Sequence, residues 1–404
     1  MDKIQIAFFF ISGFLVSRIL IKAKVPQLIV TQLIDKKHVP LSLLIFYLVF
    51  LAAILSFFIP NAITVLTLLP VLEIIRKTYQ ETTGVEKGLP TILALSVIYG
   101  ANIGGMGSVT ATPANGILIT FIEANDITSS NFISFAQWLL WGIPLVIIFS
   151  AGASLLLNFF FKSWKYKSIA ANISTHISFE KDKHLKHALF LTALYFISSF
   201  VISILSLMYE DLVYQLLGTS IFITIFIFVY SFLITFNFGG SKEKLLNISD
   251  LYTDLPVKGF LFLFAAIIIG GVLYFLDVQQ FLNEWMSTFV SIQYHPFLFF
   301  LMIALIASFS TEILSNTVVQ LSIFVILESY SLSNAIPLIE TLLIATLSST
   351  CAFMSPIATG VNGLAFGGVK GVSFKKMLGV GFAMNLFGAV LISFWVKYVV
   401  SLLI

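Results

Sequence analysis

Thr311-Glu312-Ile313-Leu314-Ser315-Asn316-Thr317 places a polar cluster inside an otherwise apolar run. Ser355-Pro356-Ile357-Ala358-Thr359-Gly360-Val361-Asn362 interrupts the next apolar run in the same way. Both have counterparts in the first half: Ser56-Phe57-Phe58-Ile59-Pro60-Asn61-Ala62, then Ser108-Val109-Thr110-Ala111-Thr112-Pro113-Ala114-Asn115. Each half therefore carries an Asn-centred break followed by a Thr-x-x-Asn break. Paired interruptions at matching positions are the best sequence-level pointer to the binding site of a secondary transporter.

The surrounding composition sets the medium. Of 404 residues, 59% are hydrophobic and 10% charged, whereas a soluble globular domain carries about 25% charged residues. The 42 phenylalanines fall mostly in apolar runs of about 20 residues, the length a helix needs to cross hydrocarbon. The alternating short segments of an outer-membrane barrel are not visible. The reading is an all-α polytopic membrane protein of the cytoplasmic (inner) membrane, bathed in lipid. The single Cys351 excludes a disulfide framework or a cysteine metal cluster.

Basic residues collect at Arg18–Lys37, Arg76–Lys87, Lys162–Lys186, Lys242–Lys258 and Lys370–Lys376, and the intervening connections lack them. Cytoplasmic loops carry the Lys/Arg excess, so these clusters are placed inside; scattered as they are, they do not form a nucleic-acid surface. An N-terminal unit, residues 1–161, then comprises a first span at 4–22, a cytoplasmic-side hairpin at 41–77, a broken helix at 90–124 and a span at 134–161. A cytoplasmic linker at 162–185 leads to a C-terminal unit, 186–404. That unit has spans at 186–207, 213–236 and 257–276, an outside hairpin at 297–330, a broken helix at 336–366 and a span at 376–402. The hairpins open to opposite sides, which makes the units inverted repeats. Two leading spans of the second unit have no match in the first, so the N-terminal unit is expected to lack two helices, by evolution or through a start upstream of Met1.

Backbone at membrane depth must find partners, so broken helices are tolerated only where they are buried or line a cavity. The break also makes chemistry possible. Half-helix N-termini present N–H groups and partial positive charge to an anion, and freed carbonyls replace the water shell of a sodium ion. Asn serves either ion with its two amide ends, and Thr hydroxyls do likewise. No Lys or Arg lies mid-span to neutralise an anion, and no buried Asp pair suggests a proton antiporter. Glu312 is read either as a cation or proton site or as a group that reaches water or caps the hairpin. Asn102, Gly104, Gly105 and Gly107 either line the site or serve helix packing. His184 and His187, spaced for one helical face, are read as an interfacial basic helix end in preference to a metal site, while His38, His295, Trp164 and Trp285 lie at membrane edges.

At these residues the chain resembles the divalent anion:sodium symporters, carriers of dicarboxylates, citrate or sulfate. Thr311–Thr317 is similar to that family's second hairpin and Ala352–Thr359 to its second break. Tyr99–Gly105 through Thr112-Pro-Ala-Asn115 is similar to the first break, and Phe135–Pro144 to the following helix. The resemblance implies one sodium site at Ser56, Asn61 and the carbonyls of Pro60 and Ala111. It implies a second at Thr311, Asn316 and the carbonyls of Leu314 and Ala358. The substrate would lie among Asn61, Thr112, Asn316, Thr317 and Thr359, with Asn115, Gly360 and Asn362 shaping the breaks. It also implies a re-entrant hairpin in each repeat, an elevator-type mechanism and a homodimer.

Two departures qualify the first half-site. Pro60 and Ala62 stand where the family has Ser and Thr, and each lost hydrogen bond to a charged group is worth about 1.5–3 kcal/mol. Gly360 replaces a family proline and loosens the second break. The expected function is sodium-coupled symport of a small divalent anion and no enzymatic activity. The alternatives are a proton- or potential-driven antiporter or oxyanion permease, or a transport-inactive scaffold.

Overall fold

The computed structural model describes residues 13, 15–34, 38–84, 88–125, 127, 135–166, 169–170, 185–208, 246, 296–333 and 337–402. The expected spans at 213–236 and 257–276, Lys242, Lys244, Lys258, His184, Trp285 and His295 lie outside the described residues.

Helix dominates because a backbone in lipid must satisfy its own hydrogen bonds, and Leu, Ile, Phe and Ala runs supply little that competes with it. After a helical stretch at 15–22 come α1 (Val25–Ile34), α2 (Leu41–Phe58), α3 (Asn61–Thr83), α4 (Leu89–Gly104), α5 (Pro113–Ala124), α6 (Phe135–Phe161) and α7 (Leu185–Met208). The second part contains α8 (Pro296–Ser310), α9 (Asn316–Ser333), α10 (Leu338–Ser349), α11 (Gly360–Gly368) and α12 (Phe374–Tyr398). A two-residue antiparallel ladder, β1 (His38–Val39) with β2 (Ile169–Ala170), joins two connections. Leu41–Phe58, Gln137–Phe161 and Phe374–Leu402 are each long and apolar enough to cross a membrane.

The polar passages are where the helices stop. Chain Ile59-Pro60 separates α2 from α3, and 311–315 separates α8 from α9. Residues 105–112 divide α4 from α5, and 350–359 divide α10 from α11. Asn102 and Asn115 thus sit within the helices flanking the first gap, not in the gap itself.

The packing around each gap follows one scheme. In the first part α4 packs against α2, α3 and α6, and α2 also packs against α6. In the second, α10 packs against α8, α9 and α12, and α8 also packs against α12. The half-helices after the gaps cross over: α5 lies against α9 and α10, and α11 against α3 and α4. This exchange brings the two gaps together. Phe353, fully buried in the second gap, has its ring 5.0 Å from that of Tyr99 on α4 and 6.0 Å from that of Phe149 on α6.

Candidate substrate and ion site

Each gap is held open by an asparagine one turn into the following half-helix. Asn115 Nδ2 donates to the carbonyls of Gly105 (2.9 Å) and Ser108 (2.7 Å). Asn362 Nδ2 donates to the carbonyls of Ala352 and Ser355, both at 2.8 Å. In both cases the partners lie ten and seven residues back. The spans that follow supply a second brace. Trp138 Nε1 donates to the Met106 carbonyl (2.9 Å), and Asn385 Oδ1 accepts from the Phe353 N–H (3.3 Å), each 32 residues from its partner.

The half-helices begin alike. Thr112 precedes α5 at φ −135°, ψ 152°, and Thr359 precedes α11 at φ −138°, ψ 157°. Pro113 at the first position of α5 has no N–H to lose and is pre-set for a helix start. Thr359 Oγ1 accepts from the Asn362 N–H (3.1 Å) and donates to Asn362 Oδ1 (2.9 Å). Thr112 makes no such cap, and its buried Oγ1 has no partner.

That difference extends across the two half-sites. In the first, Asn61 opens α3 directly beside the gap. A Cβ at Gly105 would lie 2.5 Å from Thr112 Cγ2 and 3.2 Å from Asn61 Nδ2, so only glycine lets the three meet. Asn61 Oδ1, Thr112 Oγ1 and Asn115 Oδ1 are all buried without a hydrogen-bond partner. Ser56 Oγ donates to Thr64 Oγ1 (3.0 Å), leaving the Ser56 lone pairs as acceptors. The Pro60 carbonyl, expected as an ion ligand, accepts from the N–H groups of Ile63 (2.9 Å) and Thr64 (3.1 Å) as the first carbonyl of α3.

The second half-site is internally paired. Thr311 Oγ1 donates to Asn316 Oδ1 (2.5 Å) at the head of α9. Ser315 Oγ accepts from the Val318 N–H (3.3 Å), the side-chain cap that Pro60 cannot provide. The carbonyls of Ala111, Leu314 and Ala358 accept no backbone hydrogen bond among the described residues. Thr317 is half-buried in the first turn of α9, and Gly360 is exposed at the head of α11.

Glu312, 6% exposed, is neither free for an ion nor in water. Its Oε1 accepts from the N–H groups of Phe353 (2.7 Å) and Met354 (2.9 Å) and from Asn385 Nδ2 (2.8 Å). Its Oε2 accepts from the Ser355 N–H (2.8 Å). An ionised carboxylate is acceptor-only, and four donors meet it here. Of the two sequence readings the cap is nearer, yet what it caps is the second gap and not its own hairpin.

Asn102 ties the gaps to each other: Nδ2 donates to the Ala352 carbonyl (3.2 Å) and to Asn362 Oδ1 (3.3 Å). The neighbouring glycines divide their roles. Gly104 packs against Ala53, while Gly105 borders the site. Asn385, Gln320 and Thr64 escaped the sequence reading. The available signal was a lone polar side chain within an apolar helix, as with Asn385 in α12, but nothing local named its partner.

No Lys or Arg occurs in the gap segments 105–112, 311–315 and 350–359. Among the described residues no group of His, Cys, Asp and Glu could hold a metal ion. The arrangement offers neutral oxygens, amide groups and half-helix ends.

The model of a family described as Citrate transporter matches residues 3–230. A protein named sodium-dependent dicarboxylate transporter SdcS, from Staphylococcus saprophyticus, is 26% identical over 98% of this chain and 76% of its own length. An uncharacterized transporter of Haemophilus influenzae is 27% identical over 96% of this chain and 81% of its own. One of Methanocaldococcus jannaschii is 25% identical over 86% and 72%.

Proposed function

We propose, because this chain belongs to the citrate transporter family and so to the divalent anion:sodium symporters, that it carries a small divalent anion, driven by sodium, across the cytoplasmic membrane. That it is a multi-pass secondary transporter and not an enzyme follows from the family itself. The observation that carries the finer reading is Asn61 Oδ1, a buried oxygen left without a donor at the first gap. Buried acceptors with no partner cost about 1–3 kcal/mol each, and a hard cation answers such oxygens. A bound cation then supplies the positive charge that the missing basic residues do not.

In this reading Ser56, Asn61 and the Ala111 carbonyl hold one sodium ion. Thr311, Asn316 and the carbonyls of Leu314 and Ala358 hold the other, once Thr311 releases Asn316. The Pro60 carbonyl contributes to the first ion only by sharing its helix bonds. Asn61, Thr112, Asn316, Thr317 and Thr359 receive the anion between the ions. Inverted repeats are supported by the recurring packing scheme and by the equal offsets of the asparagine and span braces. Cross-linking of the gaps through Asn102 suits an elevator in which both half-sites travel as one body, within a homodimer. The four donors that engage Glu312 support sodium rather than proton as the coupling ion.

Purified protein in proteoliposomes is expected to accumulate labelled dicarboxylate only under an inward sodium gradient, and Asn316→Ala to abolish it. Equal uptake with potassium replacing sodium overturns sodium coupling. Absence of uptake of any dicarboxylate, citrate or sulfate by folded protein favours a scaffold instead.

A further inference from the structure

We propose that Gln320 makes the anion site selective for hydroxylated carboxylates, an inference that rests on the reading that Thr112, Asn316 and Thr317 hold the anion. Gln320 follows Asn316 by four residues and Thr317 by three, which puts all three on one side of α9. Long helical side chains lean toward the helix N-terminus, here toward the gap. The side chain is 0% exposed. Its Nε2 donates to the Ala114 carbonyl (2.7 Å), in the first turn of α5 and two residues past Thr112, and to Thr346 Oγ1 (3.0 Å) on α10.

The partners fix which end of the amide is which. Ala114 offers a carbonyl, and the Thr346 hydroxyl gives its own proton to the Leu342 carbonyl (2.8 Å), so both need a donor. Oε1 is therefore the end left over, and it is buried with no hydrogen-bond partner. Gln320 thus ties the arm carrying Asn316 and Thr317 to the half-helix headed by Thr112, and one buried acceptor of that tie is unmet.

Carboxylates bring only acceptors and cannot satisfy that oxygen. A hydroxyl on the carbon chain between two carboxylates brings the missing donor. A trapped water is the other source of an O–H group, and it would confer no selectivity. The site accordingly favours a hydroxylated dicarboxylate over its unsubstituted homologue of equal length, by about two- to ten-fold, the worth of one neutral hydrogen bond.

The test is competition of malate and of succinate against labelled uptake by the full chain in sodium-loaded-gradient proteoliposomes. Wild-type protein is expected to favour malate by that factor, and Gln320→Leu to bring the ratio to about one. If the leucine variant does not fold, Gln320→Asn, one methylene too short for the span, is expected to reduce the ratio. Equal affinities in wild type, or a wild-type ratio in a variant that still transports, overturn the inference and assign the oxygen to water. Absence of uptake of either anion by folded wild-type protein instead overturns the underlying transport reading.

Discussion

Glu312 illustrates how one side chain organises a gap. Its four donors come from two places: three successive N–H groups at Phe353, Met354 and Ser355, and the amide of Asn385. Helix geometry would have satisfied those N–H groups, and the gap denies it to them. The corresponding position before Asn61 is Phe57, whose ring lies against Gly107 of the first gap. The two gaps are therefore propped by different physics, a charge in one and a ring in the other. Glu312→Gln keeps the shape but turns an N–H₂ toward existing donors and removes the charge. It is expected to lower stability by about 2–4 kcal/mol, read as a lower midpoint of unfolding in detergent. An unchanged midpoint would mean that the second gap holds itself.

At the scale of helices, the close approach of α2 and α4 decides where the first hairpin sits. A Cβ at Gly100 would come 2.3 Å from the Val49 carbonyl oxygen, and one at Gly104 2.2 Å from that of Ala53. Small residues four apart let helix backbones touch, and in lipid such packing replaces the hydrophobic effect as the source of helix association. Gly104→Val pushes α2 outward and moves Asn61, at the far side of the hairpin tip, away from Thr112. Overpacking of this kind costs about 1–3 kcal/mol. The expected result is a lower unfolding midpoint together with a raised KM for the anion. A variant with wild-type KM would show that the α2–α4 seam does not set the site.

Taken as a whole, the molecule exchanges its half-helices, so that α5 leans on α9 and α11 on α3, and an ion held at either proposed site would stabilise the packed arrangement of both parts. Ligand that binds only the folded state adds RT ln(1 + [L]/Kd), about 2.7 kcal/mol for each site at a hundredfold excess over Kd. Sodium chloride, compared with potassium chloride at equal ionic strength, is expected to raise the unfolding midpoint of the purified protein. Asn61→Ala and Asn316→Ala are each expected to remove part of that gain; no sodium-specific shift in wild type would count against resident ion sites. Helical character and the places where helices fail at Pro60, Thr112, Ser315 and Thr359 were legible in the residues alone. The conditions imposed by lipid act locally: a span needs a set length of apolar residues, and a polar, Gly- or Pro-containing passage inside one must be a break. The partners within the site were not legible. Asn102 reaches a carbonyl 250 residues away and Gln320 one 206 away, and Glu312 finds its donors on a segment that no nearby pattern indicates. Hydrogen bonds of that reach depend on which helices cross, and only the packed chain determines which polar atoms are satisfied and which are left open to receive a ligand.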